Sequence, residues 1–315
     1  MNNEYQKVPL LITGVTGFIG SHIARAVMSQ GYSVVGTTRS PEKATLKGLS
    51  GLEILETDLT HCQDLIGKLA GKEIGCVIHC ASQQPHPSVS AEKYHEGNVS
   101  SLQGLLRLME KRGIQKMISF STVTVYGSAV SSRVEEETPV RPDNDYARSK
   151  MEADKILEQW CQETRSDAVC LRMPSVFGPG QGGGLVDTYY ELARKDEKIE
   201  MFSRGLLQRN LLYVAEISQA VSKTLAALDR LKGFNLFLIG SADSPTMADI
   251  AHRLAEKMNS KSQIIPVDRP APVNSHWILN LERVKNNLGF QPKTVAEGID
   301  RYLATLNKGG IHAAA

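Results

Sequence analysis

A charge excess, a long apolar run and paired cysteines are all missing from these 315 residues. Lys plus Arg number 36 against 34 Asp plus Glu, with no basic block, which argues against binding to nucleic acid or an anionic membrane. The amino terminus "MNNEYQK" is polar, and the apolar stretch behind it, "VPLLI", is too short for a signal segment or a membrane span. A cytoplasmic location is expected. The cysteines, Cys62, Cys76, Cys80, Cys161 and Cys170, are odd in number and lack the tight spacing of a zinc site or a small disulfide framework. That pattern fits a reducing compartment. Cys76, His79 and Cys80 are close in sequence, but in an extended run "CVIHCAS" the histidine faces away from both cysteines. No metal site is expected, and the thiols read as small buried hydrophobes. No internal repeat is evident.

What is present is a globular composition, 41% hydrophobic and 22% charged, in a chain long enough for a substantial core. The first half alternates short β-branched runs with helical patterns: "VPLLIT", Phe18–Gln30, "YSVVGTT", "GLEILETD", "IGCVIHCAS", residues 91–112, "QKMISFST", Tyr146–Trp160 and "DAVCLRM". This βαβα rhythm predicts an α/β fold of the Rossmann type, a doubly wound parallel sheet with ligands at the strands' carboxyl ends. After Met173 the texture changes, with "GPGQGGG" and less regular units. The expected division is a dinucleotide-binding domain from 1–175 plus about 212–240. A smaller, discontinuous α/β substrate domain follows from about 176–211 and 241–305, with 306–315 as a tail. The polar stretch Ser128–Asp145 exceeds the usual connection length and leads into Tyr146, so it reads as a candidate active-site flap.

"TGVTGFIG" places Gly14, Gly17 and Gly20 between the first strand and the first helix. Glycines there allow a tight turn and a close backbone approach to a pyrophosphate, and the helix start offers unpaired N–H groups. Gly14, Thr16, Gly17, Phe18, Ile19 and Gly20 are therefore candidate dinucleotide ligands. The second strand ends in "TTRS", with Arg39 and Ser40 where NAD-binding chains carry an acid for the ribose 2′-hydroxyl. A guanidinium pairs with the 2′-phosphate of NADP instead, and Lys43 is a possible helper. The alternative is that Arg39 is a solvated surface residue. In "DYARSK", Tyr146 and Lys150 stand four apart on one helical face, so the ammonium is expected to favour the phenolate. Taken alone, the pair recurs by chance in many helices.

With "TGVTGFIG", "TDLT", "HCAS", "STVTVYG" and "YARSK" in this order, the chain resembles the extended short-chain dehydrogenase/reductase family, in its NAD(P)-dependent epimerase/dehydratase group. The resemblance spans about 10–305. It implies that Asp58 and Leu59 flank the adenine, that Ala81 and Ser82 line the cofactor pocket, and that Asn98 orders the active-site strand. It also implies that Pro174, Ser175 and Val176 lie near the nicotinamide, and that Thr122 joins Tyr146 and Lys150 as the catalytic group. Tyr146 would then give a proton to the carbonyl oxygen that hydride transfer leaves negative, its pKa lowered by Lys150 and the cofactor ring. The carboxy-terminal half resembles the nucleotide-sugar branch, where Arg209 of "RNLLYVAEISQA" and Arg269 of "VDRPAP" would grip a diphosphate. The alternative is that both arginines pair with surface carboxylates.

Two departures narrow the reading. The dehydratases of this branch carry Asp-Glu directly after the catalytic Thr, where this chain has Val123 and Thr124, so the acid and base for eliminating water are missing. Ser175 replaces the Asn that several UDP-sugar epimerases use at the sugar. The expectation is an NADP(H)-preferring reductase of a keto group on a nucleotide sugar, with NAD(H) possible, and a homodimer as in related enzymes. The alternatives are an epimerase holding NAD, a reductase of non-nucleotide aldehydes or ketones, and an NADP(H) sensor without turnover.

Overall fold

Seven parallel strands form the central sheet: β1 (Leu10–Thr13), β2 (Val34–Thr38), β3 (Leu52–Glu56), β4 (Cys76–His79), β5 (Lys116–Thr122), β6 (Asp167–Met173) and β7 (Phe234–Leu238). The computed structural model describes residues 8–41, 46, 51–128, 133–270 and 278–307. The spatial order is β7-β6-β5-β4-β1-β2-β3, so the winding direction reverses between β1 and β4. A crevice opens at such a reversal, outside the carboxyl ends of the strands.

The strands read as nearly continuous apolar runs because both faces are covered. Leu10, Ile12, Val34, Cys76, Ile78, Ile118 and Val169 pack on one face, and Leu11, Val35, Val77, Met117 and Ala168 on the other. This alternation is the period of two expected of a pleated strand. Helix α1 (Phe18–Ser29) and the helix Val214–Ala227 cover the first face through Ile23, Val27, Ile217 and Val221. Helices α2 (Ser101–Arg112) and α3 (Asp145–Thr164) cover the second through Leu102, Leu105, Leu157 and Trp160.

The register carries the chemistry to one rim. Thr13 pairs with Thr37 and with His79, and Thr122 pairs with Met173, so the residues after each strand converge. Segments 176–211 and 241–305 contribute short parallel pairs beyond the sheet: Ser175–Phe177 with Leu211–Tyr213, and Ile199–Met201 with Ile264–Pro266. Their apolar side chains, among them Val186, Tyr189, Met247 and Leu254, join the cluster on the first face rather than forming a core of their own.

The stretch expected as a flap is fastened where it is described. Arg133–Val134 pairs with Ile278–Leu279, Arg141 N donates to Val125 O at 2.8 Å, and Tyr126 Oη donates to Glu135 O at 3.1 Å. Residues 129–132, Glu42 and Lys43 and most of the expected tail, 308–315, lie outside the described residues. Among those described, no helix is long and apolar enough to cross a membrane.

Candidate active site

At the turn after β1, Gly14 has φ +64° and a Cβ there would stand 2.9 Å from the backbone of Ala81. A Cβ at Gly20 would fall 2.3 Å from Gly14 O. The first glycine lets the turn pass under the end of β4, and the second lets α1 press onto the turn. No side chain caps α1 and no acid sits in its first turn, so its amino end retains both its N–H donors and its positive dipole. This geometry fits a pyrophosphate. The turn opens into a cleft of about 850 Å³ lined by Gly14, Thr16, Gly17, Phe18, Ile19 and Gly20.

The same cleft takes in Arg39, Ser40, Asp58 and Leu59 at one end, Ala81 and Ser82 in the middle, and Thr122, Tyr146, Pro174, Ser175 and Val176 at the other. Between β2 and β5 lie three strand spacings, roughly 14 Å, a span suited to a dinucleotide laid across the reversal. At the β2 end, the Thr16 and Thr38 hydroxyls meet at 2.6 Å, and Ser40 N donates to Thr38 Oγ1 at 3.1 Å. Asp58 accepts from Thr60 N at 3.0 Å and from Thr60 Oγ1 at 2.9 Å. Burial pushes its carboxyl up, but these bonds and the nearby Arg39 charge leave it below the ordinary carboxylate value.

Asn144 begins α3, its side chain accepting from Ala147 N at 2.9 Å, so Tyr146 sits in the first turn and Lys150 one turn on. A π-helical turn at His95–Ser100, a distortion that often marks functional positions, presents Asn98. Asn98 Nδ2 donates to Ser149 Oγ at 2.9 Å, and its Oδ1 accepts from Ser82 Oγ at 2.8 Å and Gln83 N at 2.7 Å. It therefore ties the end of β4 to the helix that carries Tyr146 and Lys150. Thr122, 8% exposed, lines the cleft together with Tyr146.

In the protein alone, Lys150 does not acidify Tyr146 as expected. Burial, followed by Asp154 and the Tyr94 phenol, pushes the Tyr146 phenol above its ordinary value, and the neighbouring Thr122 hydroxyl only partly opposes this. Desolvation of the phenolate outweighs any help from Lys150. Burial likewise pushes Lys150 down, and the Asp154 charge opposes that. Asp154 lies four residues beyond Lys150 on the same helix. It accepts from Ser121 Oγ at 2.7 Å and forms a nearly buried ion pair with Arg172 at 2.8 Å.

Several of these groups were not singled out by sequence reasoning. Asp154 had a signal, a polar stripe at positions 146, 150 and 154 on an otherwise apolar helix face. Gln181, Gly182, Gly183 and Gly184 line the cleft, and Pro179 O is bound by His22 Nε2 at 2.9 Å. His79 bonds Thr13 Oγ1 through Nδ1 at 2.8 Å, and burial with the neighbouring Lys150 charge holds its pKa at about 3, so it is neutral. All five cysteines are free thiols, and burial pushes each of them up. Among the described residues no group of three or more His, Cys, Asp or Glu could hold a metal ion.

The two expected diphosphate ligands do not line the cleft. Arg209 is partly buried beside Tyr189. Arg269 is exposed, paired with Glu200 at 2.8 Å and lying over the Phe202 ring at 5.3 Å.

A doubly wound sheet with a glycine turn, an uncapped helix start and a tyrosine–lysine pair beside a strand-end threonine defines an NAD(P)-dependent enzyme of the extended short-chain dehydrogenase/reductase type. Residues 10–240 match the NAD dependent epimerase/dehydratase family, and the chain belongs to it. Among curated relatives, a dTDP-4-dehydro-6-deoxy-D-allose reductase from Streptomyces sp is 24% identical, covering 92% of this chain and 94% of the relative. A dTDP-D-glucose 4,6-dehydratase from Mus musculus is 26% identical, covering 93% and 86%. Among solved structures, the UDP-glucose 4-epimerase of Thermotoga maritima with UDP-glucose superposes with a TM-score of 0.87 at 23% identity, covering 96% of this chain and 99% of that one. All three are enzymes that modify nucleotide sugars.

Proposed function

We propose that the protein is an NADPH-dependent reductase of a keto group on a nucleotide-linked sugar, cytoplasmic and homodimeric. The observation that carries this reading is the β2 end of the cleft, which Arg39 and Ser40 line with no acidic residue directly after the strand; a ribose 2′-phosphate would lie there. A guanidinium there attracts a 2′-phosphate, and reduction consumes NADPH. When bound, the nicotinamide supplies the hydride. Tyr146 donates the proton to the substrate oxygen, and the raised phenol pKa means that it rests in the acid form this step needs. Lys150 places a positive charge beside the oxygen left on Tyr146, and Thr122 orients the substrate carbonyl. The substrate domain, 176–211 with 241–305, closes over the sugar, with Arg209 and Arg269 as diphosphate ligands once Arg269 exchanges Glu200 for phosphate.

An Asp-Glu pair for dehydration is missing beside Thr122, where Val123 and Thr124 line the cleft instead. The test is NADPH oxidation in the presence of a dTDP- or UDP-linked 4-keto-6-deoxyhexose. One NADPH is consumed per sugar reduced, and Tyr146→Phe loses about 10²–10⁴-fold in turnover. Arg39→Ala weakens NADPH binding about 10–100-fold, as expected of a hydrogen-bonded charge, and leaves NADH binding unchanged. Interconversion of sugar epimers with no net NADPH oxidation, by protein purified with NAD, overturns the reading in favour of an epimerase.

A further inference from the structure

A second cavity of about 350 Å³ adjoins the cleft, and the two share Pro85 and Tyr146 in their linings. A ligand whose carbonyl oxygen meets the Tyr146 hydroxyl therefore has this space beside it. Pro85, Pro87 and Val89 supply apolar surface from the segment after β4, and the Tyr94 and Tyr146 rings, meeting edge-on with centroids 5.8 Å apart, supply more. The proline segment is held in place. Tyr94 Oη accepts from His86 N at 2.9 Å and donates to His86 O at 3.1 Å, so one buried side chain fixes both polar groups of that residue's main chain. Val89 N also donates to His86 O at 3.1 Å, and prolines on both sides of His86 restrict the backbone further. A wall fixed before the ligand arrives loses little freedom on binding.

His86 adds a polar contact to this lining. Ser88 N donates to its Nδ1 at 3.2 Å, with Ser88 Oγ 2.7 Å from the same nitrogen, so Nδ1 is an acceptor and the ring proton sits on Nε2. Among the described residues Nε2 has no hydrogen-bond partner. The other polar side chains of the cavity are engaged: Asp145 accepts from Arg148 Nη2 at 2.6 Å, while Asn144 accepts from Ala147 N and donates to Asp143. Nothing on the lining calls for an ionic occupant. An apolar space with one N–H donor suits a neutral acyl group, its alkyl part against the rings and its carbonyl oxygen on His86. The volume agrees, since 350 Å³ far exceeds the ~30 Å³ share of one water, leaving a hydroxyl loose and an acetamido group accommodated.

We propose that this cavity is a specificity subsite for an acylamino substituent on the sugar carbon next to the keto carbon, with His86 Nε2 donating to the acyl oxygen. The subsite rests on the nucleotide-sugar part of the functional reading, which supplies the body of the ligand, and on none of the redox chemistry. Tyr146 serves both cavities: its hydroxyl meets the reacting oxygen and its ring borders the substituent.

Isothermal titration calorimetry on the full chain with NADPH tests it, comparing dTDP-3-acetamido-3,6-dideoxygalactose with dTDP-6-deoxygalactose, neither of which has a keto group for NADPH to reduce. The acetamido sugar binds about tenfold more tightly, the effect of one hydrogen bond with a buried methyl. His86→Leu leaves the main-chain clamp to Tyr94 in place and cuts the preference to about threefold, the share of the methyl alone. Val89→Phe fills the space and abolishes the preference, and a denaturant melt of each variant checks that it is folded. Equal affinity of wild type for the two sugars overturns the subsite, as does a preference that both folded variants keep. The 4-keto forms of the same sugars separate this result from the reductase reading. NADPH oxidation with no acetamido preference leaves the reductase and removes the subsite. A preference that follows the variants, with no NADPH oxidation, keeps the subsite and sinks the reductase reading instead.

Discussion

Near Lys150 on the same helix, Asp154 forms with Arg172 an ion pair that is costly to desolvate. Side-chain exposures of 12% and 6% place both charges nearly out of water. The carboxylate is shared among Arg172 Nη2, Ser121 Oγ and, at 3.5 Å, Cys170 Sγ, while Arg172 Nη1 donates to Tyr126 Oη at 2.9 Å. Arg172 Nε is buried with no hydrogen-bond partner, so the guanidinium has no spare compensation. Asp154→Asn should therefore destabilise the fold by about 3–5 kcal/mol, the penalty of leaving one buried charge unpaired. Denaturant melts measure it. The double change Asp154→Leu with Arg172→Met should recover most of that stability, because no charge remains buried, yet should not recover turnover, because Lys150 has lost the neighbouring charge that opposes its own desolvation. Recovery of both would show that Asp154 serves the fold alone.

Helix α3 joins the fold to the chemistry, since its first turn carries Tyr146 and its second Lys150. Removal of the cap in Asn144→Ala frees Ala147 N and should cost about 0.5–2 kcal/mol. Fraying at that end displaces Tyr146 before any other catalytic group, so kcat should fall several-fold while binding of NADPH, read by fluorescence, holds; Asn144→Ser should restore kcat. Loss of cofactor binding in step with kcat would refute the local account. Elements of this kind were legible in the residues. "QKMISFST" and "DAVCLRM" became β5 and β6 because both faces of those strands are covered, and the "DYARSK" helix appeared with its Tyr and Lys on one side. The Asp154 stripe was also visible, but its partner Arg172 lies within the otherwise apolar run Ala168–Met173, and only the fold brings the two together.

At the scale of the whole chain, the long-range joins were the part the residues did not announce. The glycine run after Phe177, which lines the cleft, is joined to α1 by the bond of His22 Nε2 to Pro179 O, 157 positions away. Another such join is Glu216, which is 2% exposed at the start of the helix Val214–Ala227, where its Oε1 accepts from Lys293 N at 3.1 Å and so clasps the carboxy-terminal segment. Burial raises its pKa to about 7, only partly opposed by the Lys293 bond and the Arg301 charge, with Glu297 adding to the rise. A carboxyl whose folded pKa exceeds its unfolded value binds its proton more tightly when folded, so its contribution is full below the unfolded pKa and is lost as pH rises through the folded one. The window is about pH 4.5 to 7, and the shift corresponds to roughly 3 kcal/mol by the conversion for one pKa step. Glu216→Gln cannot ionise and should keep the clasp at neutral pH. Carboxylates held below their ordinary values, such as Asp58 and Asp143, act in the opposite sense, so the comparison must be the difference between the two proteins. Measured by urea unfolding, wild type should lose stability relative to Glu216→Gln across that window and run parallel to it on either side. A constant difference from pH 4 to 8 would mean that Glu216 stays ionised in the fold and that its clasp does not depend on a proton.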